Sequence, residues 1–210
     1  MSYVENIKDK LLKALQNKLP GHSSHIKMMP ESRLNMSYDF DINNVKKSAV
    51  LLLLFPENKT YKLIFIKRAE DNGSHSGQIA FPGGKVEISD KDLEYTALRE
   101  TEEEIGIKKE NVRIIRGLTP LFIPVSKFLV YPFVGIIDYF PKLCINKKEV
   151  QDVYFADFKI VVSAEKTEKY VSTRNEKITA PFYVFKEFEI WGASAMILSE
   201  FADLLKKDFN

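Results

Sequence analysis

The sequence predicts an α/β fold, an α/β/α sandwich in which helices cover both faces of a mixed sheet and a further helix is added at the N-terminus. Two observations lead to this prediction. Strand-like apolar runs occur both before and after a long central helical segment, and helical patterns occupy both ends of the chain. Strands and helices that are interleaved in this way are typical of a sheet between two helical layers.

Length and composition limit the possible classes of protein. The 210 residues carry a formal net charge of +2. We predict one main domain over residues 46–210 and an N-terminal helix and extension packed on it over residues 1–45. The nearly neutral charge favours neither nucleic acid nor a membrane as a partner. Cys144 is the only cysteine, so we expect no internal disulfide, an inert and partly buried thiol, and a cytoplasmic location.

The first segment has apolar residues at helical spacing, and a Pro-Gly pair at residues 20–21 ends the pattern. The apolar positions are Val4, Ile7, Leu11, Leu12, Leu15 and Leu19. Such a stripe must be buried. Packing against its own domain is the default, and packing against a second copy, which would make a homodimer, is the alternative. Residues 22–44 show weak periodicity, and we expect His22 and His25 to lie at the surface.

Apolar runs at residues 48–55 and 61–67 predict two strands, joined by a turn at residues 56–59. The first run is apolar throughout, which is typical of a central strand. Pro132 indicates a bulge or an edge position within one of the later strands. These later strands are predicted at residues 112–118, 129–139, 150–158 and 180–188, and the closing helix at residues 193–207.

Residues 81–107 carry the strongest functional signal. They begin with a Pro-Gly-Gly turn at residues 82–84 and continue through a polar loop to Asp92. A helical pattern follows and stops at Gly106, a residue type that commonly ends helices. We therefore predict a helix between two glycine-containing turns.

Three glutamates share one face of this helix. Glu103 and Glu104 follow Glu100 by three and four positions, and such positions are neighbours on a helix surface. Three carboxylates repel one another, and a hard divalent cation with oxygen ligands would supply the missing charge. A solvated acidic face is the alternative. The glycines before and after the helix favour the metal site.

This pattern resembles the Nudix box. The matching residues are Gly84, Arg99, Glu100, Glu103, Glu104, Gly106 and Ile107. Asp90 departs from the usual loop glutamate, and one extra residue precedes Arg99 near the loop–helix junction, where insertions are tolerated. The resemblance implies a Nudix-type α/β/α sandwich. It also implies hydrolysis, dependent on Mg²⁺ or Mn²⁺, of a nucleoside diphosphate linked to another group.

Segments outside the box resemble the coenzyme A diphosphatases. They are residues 75–84, 118–120, 130–134, 149–155 and 190–195. The branch implies coenzyme A as the small-molecule nucleotide substrate, with 4′-phosphopantetheine and adenosine 3′,5′-bisphosphate as products. One departure is Gly73, which stands where the branch carries a second arginine. A missing guanidinium weakens the case for a substrate with an extra phosphate.

The resemblance also implies roles for individual residues. Glu100, Glu103, Glu104 and the Gly84 backbone are the candidate metal ligands. Glu100 is the first candidate for the catalytic base and Glu149 the second, although Glu149 is equally well interpreted as a solvated charge at a strand end. Arg99 is interpreted as an orienting partner for carboxylates, since arginine holds such geometry bidentately.

The candidate substrate contacts are Arg68, His75, Gln78 and Phe81. Trp191 is interpreted as a core anchor rather than as a stacking platform for adenine. Two other functions stay open. One is a Nudix hydrolase acting on a nucleotide sugar, a dinucleotide or a modified nucleoside triphosphate, and the other is a non-enzymatic nucleotide-sensing module.

Overall fold

A mixed sheet forms the centre of the protein, as predicted. The computed structural model describes residues 3–34, 45–70, 77–172 and 177–209, and these contain eight strands in one sheet and three in a second. The strands of the large sheet are β1 Lys46–Glu57, β2 Thr60–Arg68, β3 Ile79–Ala80, β4 Gly83–Lys85, β5 Arg113–Gly117, β6 Leu121–Ile123, β7 Phe128–Ile136 and β8 Val150–Asp157. The small sheet contains β9 Lys166–Ser172, β10 Lys177–Val184 and β11 Glu189–Trp191.

Helices cover both faces of the large sheet. They are α1 Tyr3–Ala14, α2 His22–Ile26, α3 Glu31–Leu34, α4 Leu93–Ile105, α5 Phe158–Ser163 and α6 Gly192–Phe209. Leu11 of α1 and Phe201 of α6 are buried in the core on one face, whereas Ala97 of α4 is buried in the core on the other. The predicted α/β/α fold is therefore confirmed. Among the described residues, no helix combines the length and the apolarity needed to cross a bilayer.

β1 is the central strand that its apolar sequence predicted. The order in the sheet is β3-β2-β1-β7-β5, and β1 runs parallel to β7 and antiparallel to β2 and β4. Its side chains alternate between the two cores, with Leu52 and Leu54 in one and Leu51 and Leu53 in the other. A strand that is buried on both faces needs apolar residues at every position.

The turn between β1 and β2 is shorter than predicted. Glu57 still pairs with Thr60, so the connection consists of Asn58 and Lys59 alone. Both residues have positive φ, 50° and 64°, as the tight two-residue hairpin turns compatible with strand twist require.

The prediction of a bulge or an edge position for Pro132 is wrong. β7 is an interior strand, and the register shift in its pairing with β5 lies between Ile114 and Arg116. Pro132 instead lies where the neighbour of β7 changes from β5 to β6. Its carbonyl accepts a hydrogen bond from Leu118 N at 2.8 Å. Pro132 is paired with Val50 of β1, but no residue of β5 or β6 is paired with it. Because the missing N–H falls on the side of this break, the proline is tolerated inside the sheet.

The N-terminal helix packs on its own chain. Leu11 and Leu15 have no exposed surface, so the apolar stripe joins the core beside α6. The helix ends at Ala14, before the predicted end. The Arg116 guanidinium donates to the carbonyls of Leu15 and Asn17, which follow the helix, and so holds the chain in place just beyond its end.

The surface position expected for His22 is confirmed, but that expected for His25 is wrong. His25 is 1% exposed, and its Nε2 lies 3.1 Å from Glu200 Oε2 on α6. A histidine can be buried when a carboxylate satisfies its polar atoms. Weak local periodicity gave no sign of this partner, which is distant in the sequence.

The expectation that Cys144 is partly buried is also wrong, since its side chain is exposed. Its backbone is held against the end of α4, where Cys144 N donates to Ile105 O at 2.9 Å. The sequence also gave no prediction for β6, β9 and β11, which are short or polar strands.

Candidate functional site

The central helix α4 has the ends that the sequence predicts. The Asp92 side chain caps its N-terminus by accepting from Tyr95 N at 2.7 Å. Gly106 ends it in the left-handed conformation, with φ at 77°. A Cβ at Gly106 would lie 2.6 Å from Cys144 Cβ, so both conformation and space require glycine there.

Arg99 and Asp90 form a bidentate pair between α4 and the preceding loop. Arg99 Nε lies 2.8 Å from Asp90 Oδ1, and Nη2 lies 3.0 Å from Oδ2. Asp90 also accepts from Thr96 Oγ1 at 2.8 Å and from Glu87 N at 2.9 Å. The hydrogen bonds from Arg99 hold the pKa of Asp90 far below its ordinary value. The shorter aspartate, which replaces the usual glutamate, therefore still reaches the arginine.

The remaining donors of Arg99 reach the carboxylates of its own helix. Nη1 lies 3.0 Å from Glu103 Oε2 and 3.1 Å from Glu100 Oε1. Nη2 also donates to Lys85 O at 3.0 Å. Arg99 thus contacts the loop, β4 and two candidate metal ligands at once, which is the geometry that an orienting residue needs.

Glu104 is a buried carboxylate at the bottom of the site. It is 1% exposed, and its Oε2 accepts from Gly83 N at 2.9 Å. Its Oε1 lies 3.8 Å from Arg68 Nη1. Burial raises the pKa of Glu104 to about 8, with a further contribution from Glu100 and Glu149 and opposition from Gly83 and Arg68. The surroundings of the Glu104 carboxylate therefore supply too little positive charge to balance its own negative charge.

Glu100 lies directly against the backbone of β4. A Cβ at Gly84 would be 2.3 Å from Glu100 Cδ and 2.4 Å from both carboxylate oxygens. The space that Gly84 leaves is therefore filled by the Glu100 carboxylate. Burial raises the pKa of Glu100, Arg99 opposes the shift, and the neighbouring charges of Glu103 and Glu149 add to it.

Glu149 comes to the site from a distant part of the sequence. Asn146 N donates to Glu104 O at 2.9 Å at the end of α4, which docks this segment. The Asn146 side chain then donates to Glu149 Oε1 at 3.2 Å. Glu149 is solvent-exposed, yet its charge raises the pKa of both Glu100 and Glu104. The sequence analysis missed Asn146, whose only signal was its position three residues before a candidate base.

These donors fit a hard divalent cation. The candidate ligands are oxygen atoms, which Mg²⁺ and Mn²⁺ prefer, and Glu104 is a buried carboxylate among like charges. Among the described residues, no group of three or more His, Cys, Asp or Glu side chains is already arranged to hold a metal ion. Arg99 contacts both Glu100 and Glu103. Convergence of Glu100, Glu103 and Glu104 on one cation stays a prediction.

The candidate substrate contacts have different positions. Arg68 is partly exposed beside Glu104. Gln78 is partly buried, and its carbonyl accepts from Arg68 N at 3.1 Å. Phe81 is 2% exposed and packs against Phe65, with ring centroids 5.0 Å apart. This burial argues against a substrate contact by Phe81 in the observed conformation.

Two predicted positions, His75 and Gly73, lie outside the described residues. Trp191 is partly buried and stacks on Phe182, with centroids 5.9 Å apart. This contact gives Trp191 a packing partner at the edge of the small sheet, in keeping with its interpretation as an anchor.

Comparison with known proteins identifies the family. The NUDIX domain model matches residues 45–179. NudL, a Nudix hydrolase of Photorhabdus laumondii, is 33% identical over 161 residues, which cover 76% of this chain and 85% of that protein. Nudix hydrolase 15 of Arabidopsis thaliana, described as mitochondrial, is 33% identical over 176 residues, which cover 80% of this chain but only 61% of that protein.

The fold agrees with this result. The crystal structure of a MutT protein from Methanosarcina mazei matches with a TM-score of 0.50 and 16% identity, covering 75% of this chain and 92% of that one. At this identity the match shows the fold alone. The chain belongs to the Nudix family, and it is a hydrolase of phosphorus anhydrides.

Proposed function

We propose that this hydrolase cleaves the diphosphate bond of coenzyme A or its derivatives, giving 4′-phosphopantetheine and adenosine 3′,5′-bisphosphate. The observation that carries the proposal is the position of Arg68. This arginine belongs to the pattern that resembles the coenzyme A diphosphatases, and its guanidinium lies 3.8 Å from the buried Glu104 carboxylate. This position supports a contact between Arg68 and a substrate phosphate beside the candidate metal ligands.

Glu100, Glu103, Glu104 and the Gly84 carbonyl would hold Mg²⁺ or Mn²⁺. When bound, the divalent cation neutralises phosphate oxygens and lowers the pKa of a coordinated water. Arg99 orients Glu100 and Glu103 through the contacts described above.

A carboxylate of this chain accepts a proton during hydrolysis. Water attacks one phosphorus of the diphosphate, the bridging P–O bond breaks, and the proton of the water passes to that carboxylate. Glu100 is the first candidate for the acceptor because it lies beside Gly84. Glu149 is the second, because it is exposed and Asn146 holds it near the same group of carboxylates.

A second candidate is hydrolysis of another nucleotide, such as a nucleotide sugar, a dinucleotide or a modified nucleoside triphosphate. The absence of an arginine at Gly73 favours this alternative. Arg116 cannot replace that arginine in the observed structure, because its guanidinium is bound to the carbonyls of Leu15 and Asn17. Lys127, exposed at the turn before β7, is another candidate for this role. A non-enzymatic sensor has no support from this site.

We further propose a cytoplasmic location and a division into an extension, residues 1–45, and a hydrolase domain, residues 46–210. The lone cysteine supports the first proposal. The start of the family match at residue 45 supports the second.

A substrate panel tests the assignment. Purified protein is incubated with Mg²⁺ or Mn²⁺ and coenzyme A, dephospho-coenzyme A, a nucleotide sugar or a dinucleotide, and the products are identified. We expect hydrolysis of coenzyme A, with weak discrimination against the dephospho form. Gly73→Arg should increase this discrimination roughly tenfold to a hundredfold, because a charge-assisted hydrogen bond contributes about 1.5–3 kcal/mol.

Two results would contradict the proposal in different ways. A strong preference for coenzyme A in the parent would refute weak discrimination while keeping the substrate. Activity on the nucleotide sugar with none on either coenzyme A form would move the assignment to the second candidate.

A further inference from the structure

A cavity lies away from the carboxylate site. It has a volume of about 410 Å³, opens to solvent, and is lined by residues of α2, α3, β6 and the start of α6. This volume lies within the range of small-molecule sites. The described residues that line it include none from α4 or β4. The cavity therefore lies outside the proposed hydrolytic machinery.

Most of the cavity wall is apolar. β6 contributes Leu121 and Phe122, α6 contributes Ala193 and Met196, and Met29 lines the opposite side. Methionine side chains are flexible and polarisable, and they adapt to ligands of different shape. The wall therefore suits an aliphatic or aromatic group.

The polar part of the wall is cationic or neutral. Arg33, His22, His25 and Thr119 contribute to it, and no aspartate or glutamate is among the described residues that line the cavity. Arg33 carries a permanent charge, since arginine is not deprotonated in proteins. An anionic group on the ligand would complement this charge.

A buried hydrogen-bond network fixes two walls of the cavity. The Glu200 side chain has no exposed surface, and it accepts from Thr119 Oγ1 at 2.6 Å and from Thr119 N at 3.0 Å. It also accepts from Gly21 N at 3.1 Å, and His25 Nε2 lies at the same distance from it. Four contacts to one carboxylate hold α2 and the segment before β6 at fixed positions on α6. The cavity is thus held open by satisfied polar contacts.

The cavity also accounts for sequence segments that the hydrolytic site does not use. Residues 118–120 and 190–195 resemble segments of the coenzyme A diphosphatases. Neither segment contributes a candidate catalytic or metal-binding residue. Thr119, Pro120, Gly192 and Ala193 from these two segments line the cavity.

We propose that this cavity is a separate binding site for a small organic anion with an apolar body. The anionic group pairs with Arg33, and the apolar body contacts Phe122, Met29 and Met196.

The probe for this site is 8-anilinonaphthalene-1-sulfonate, a fluorescent aromatic anion. Trp191 is the only tryptophan of the chain, and it precedes Gly192 of the cavity wall. Energy transfer from Trp191 to the dye therefore reports binding to the protein, and the variants below locate it. We expect saturable transfer from one dye per chain, displaced by octanoate but not by octanol.

Two variants and a matched control locate the binding. Arg33→Gln should raise the dissociation constant roughly tenfold, because it removes a charge-assisted contact. Ala193→Leu should weaken binding by filling the wall. Arg113→Gln, at an exposed arginine of β5 that does not line the cavity, should bind as the parent does. Circular dichroism verifies the fold of each variant.

Three outcomes would overturn the proposal. The first is equal affinity in the parent and in Arg33→Gln. The second is displacement of the dye by octanol as effectively as by octanoate. The third is competition by coenzyme A in the parent, lost in Glu100→Gln, which would make the cavity part of the catalytic site. Failure of coenzyme A hydrolysis leaves these measurements unaffected, since they need no turnover.

Discussion

Two adjacent glycines at the start of β4 are required for different physical reasons. Gly83 has φ at 148°, and a Cβ there would lie 2.3 Å from Ala49 O and 2.6 Å from Val50 Cα, both backbone atoms. A Cβ at Gly84 would instead meet the end of the Glu100 side chain, which can rotate away. Gly83 is therefore a folding requirement, and Gly84 a requirement of the site.

Alanine at each position should separate these two roles. Gly83→Ala should lower the free energy of unfolding by about 2–3 kcal/mol, as backbone strain typically does. Gly84→Ala should unfold close to the parental temperature but lower kcat, because Glu100 is displaced. Thermal melts and steady-state kinetics measure both effects. Parental kcat in Gly84→Ala would show that the position of Glu100 against β4 is not needed.

Glu103 is the candidate metal ligand that can be changed with the least effect on folding. Its side chain is 52% exposed, and Arg99 is its ion-pair partner. Glu103→Gln should keep the fold and lower kcat on the order of 10²–10³-fold, as expected when stabilisation of transition-state charge is lost. Glu94→Gln, on the exposed first turn of the same helix, is the control. Near-parental turnover would remove Glu103 from the site.

The bidentate pair between Asp90 and Arg99 should stabilise the fold over a wide pH range. The folded-state pKa of Asp90 is far below the ordinary value. The contribution of the pair to stability is therefore fully present above the unfolded-state pKa of about 3.9. It is lost only as the pH falls through the folded-state pKa.

Asp90→Asn should therefore lower the free energy of unfolding by about 1.5–3 kcal/mol at pH 7. The same difference should persist down to about pH 5, above the unfolded-state pKa. Urea unfolding of parent and variant at both pH values provides the measurement. A difference that already shrinks between pH 7 and pH 5 would show that Asp90 has a higher folded-state pKa.

At the scale of elements, α1 is part of the core rather than an appendage. Ile7, Leu11 and Leu15 belong to the same apolar cluster as α6 and the large sheet. Burying one such side chain contributes about 1.5–3 kcal/mol.

Deletion of residues 1–20 should therefore lower the melting temperature by on the order of 10 °C or more, since 1 kcal/mol corresponds to about 2–4 °C at this size. Light scattering on parent and deletion tests the alternative, a homodimer formed through α1, at the same time. An unchanged melting temperature and mass would show that α1 contributes to neither stability nor assembly. Leu11→Ala, expected to cost about 2–5 kcal/mol, checks that the effect comes from the buried stripe.

At the scale of the whole molecule, the carboxylate site is assembled from separate segments. α4 supplies three glutamates, β4 two glycines, β2 Arg68, and the segment before β8 Glu149. Asn146 connects the last of these to α4 by donating to Glu149 and, through its backbone, to Glu104 O.

Asn146→Ala should lower kcat by about twofold to tenfold, because Glu149 loses one hydrogen bond of ordinary strength that holds it in position. Glu149→Gln should have the larger effect if Glu149 acts in the reaction. Lys148→Ala, at the exposed neighbouring position, is the control. An Asn146→Ala loss equal to that of Lys148→Ala would mean that the contact does not position Glu149.

The central helix and the shared face of its three carboxylates could be predicted from local sequence alone. Their mutual positions depend only on helical geometry, because residues three and four apart share a face in any α-helix. Asp92 and Gly106 also predicted where this helix begins and ends. The cap at Asp92 and the left-handed backbone of Gly106 confirm both positions. The central position of β1 followed from its uninterrupted apolar run.

Which residues lie beside that helix depends on how distant segments pack together. Gly83 and Gly84 reach Glu104 and Glu100 because β4 pairs with β1 and α4 packs beside it. Glu149 approaches because its segment docks on the end of α4, and His25 is buried because Glu200 accepts its hydrogen bond. These contacts join residues far apart in the chain, and local periodicity contains no information about such partners, since burial and register are properties of the assembled sheet.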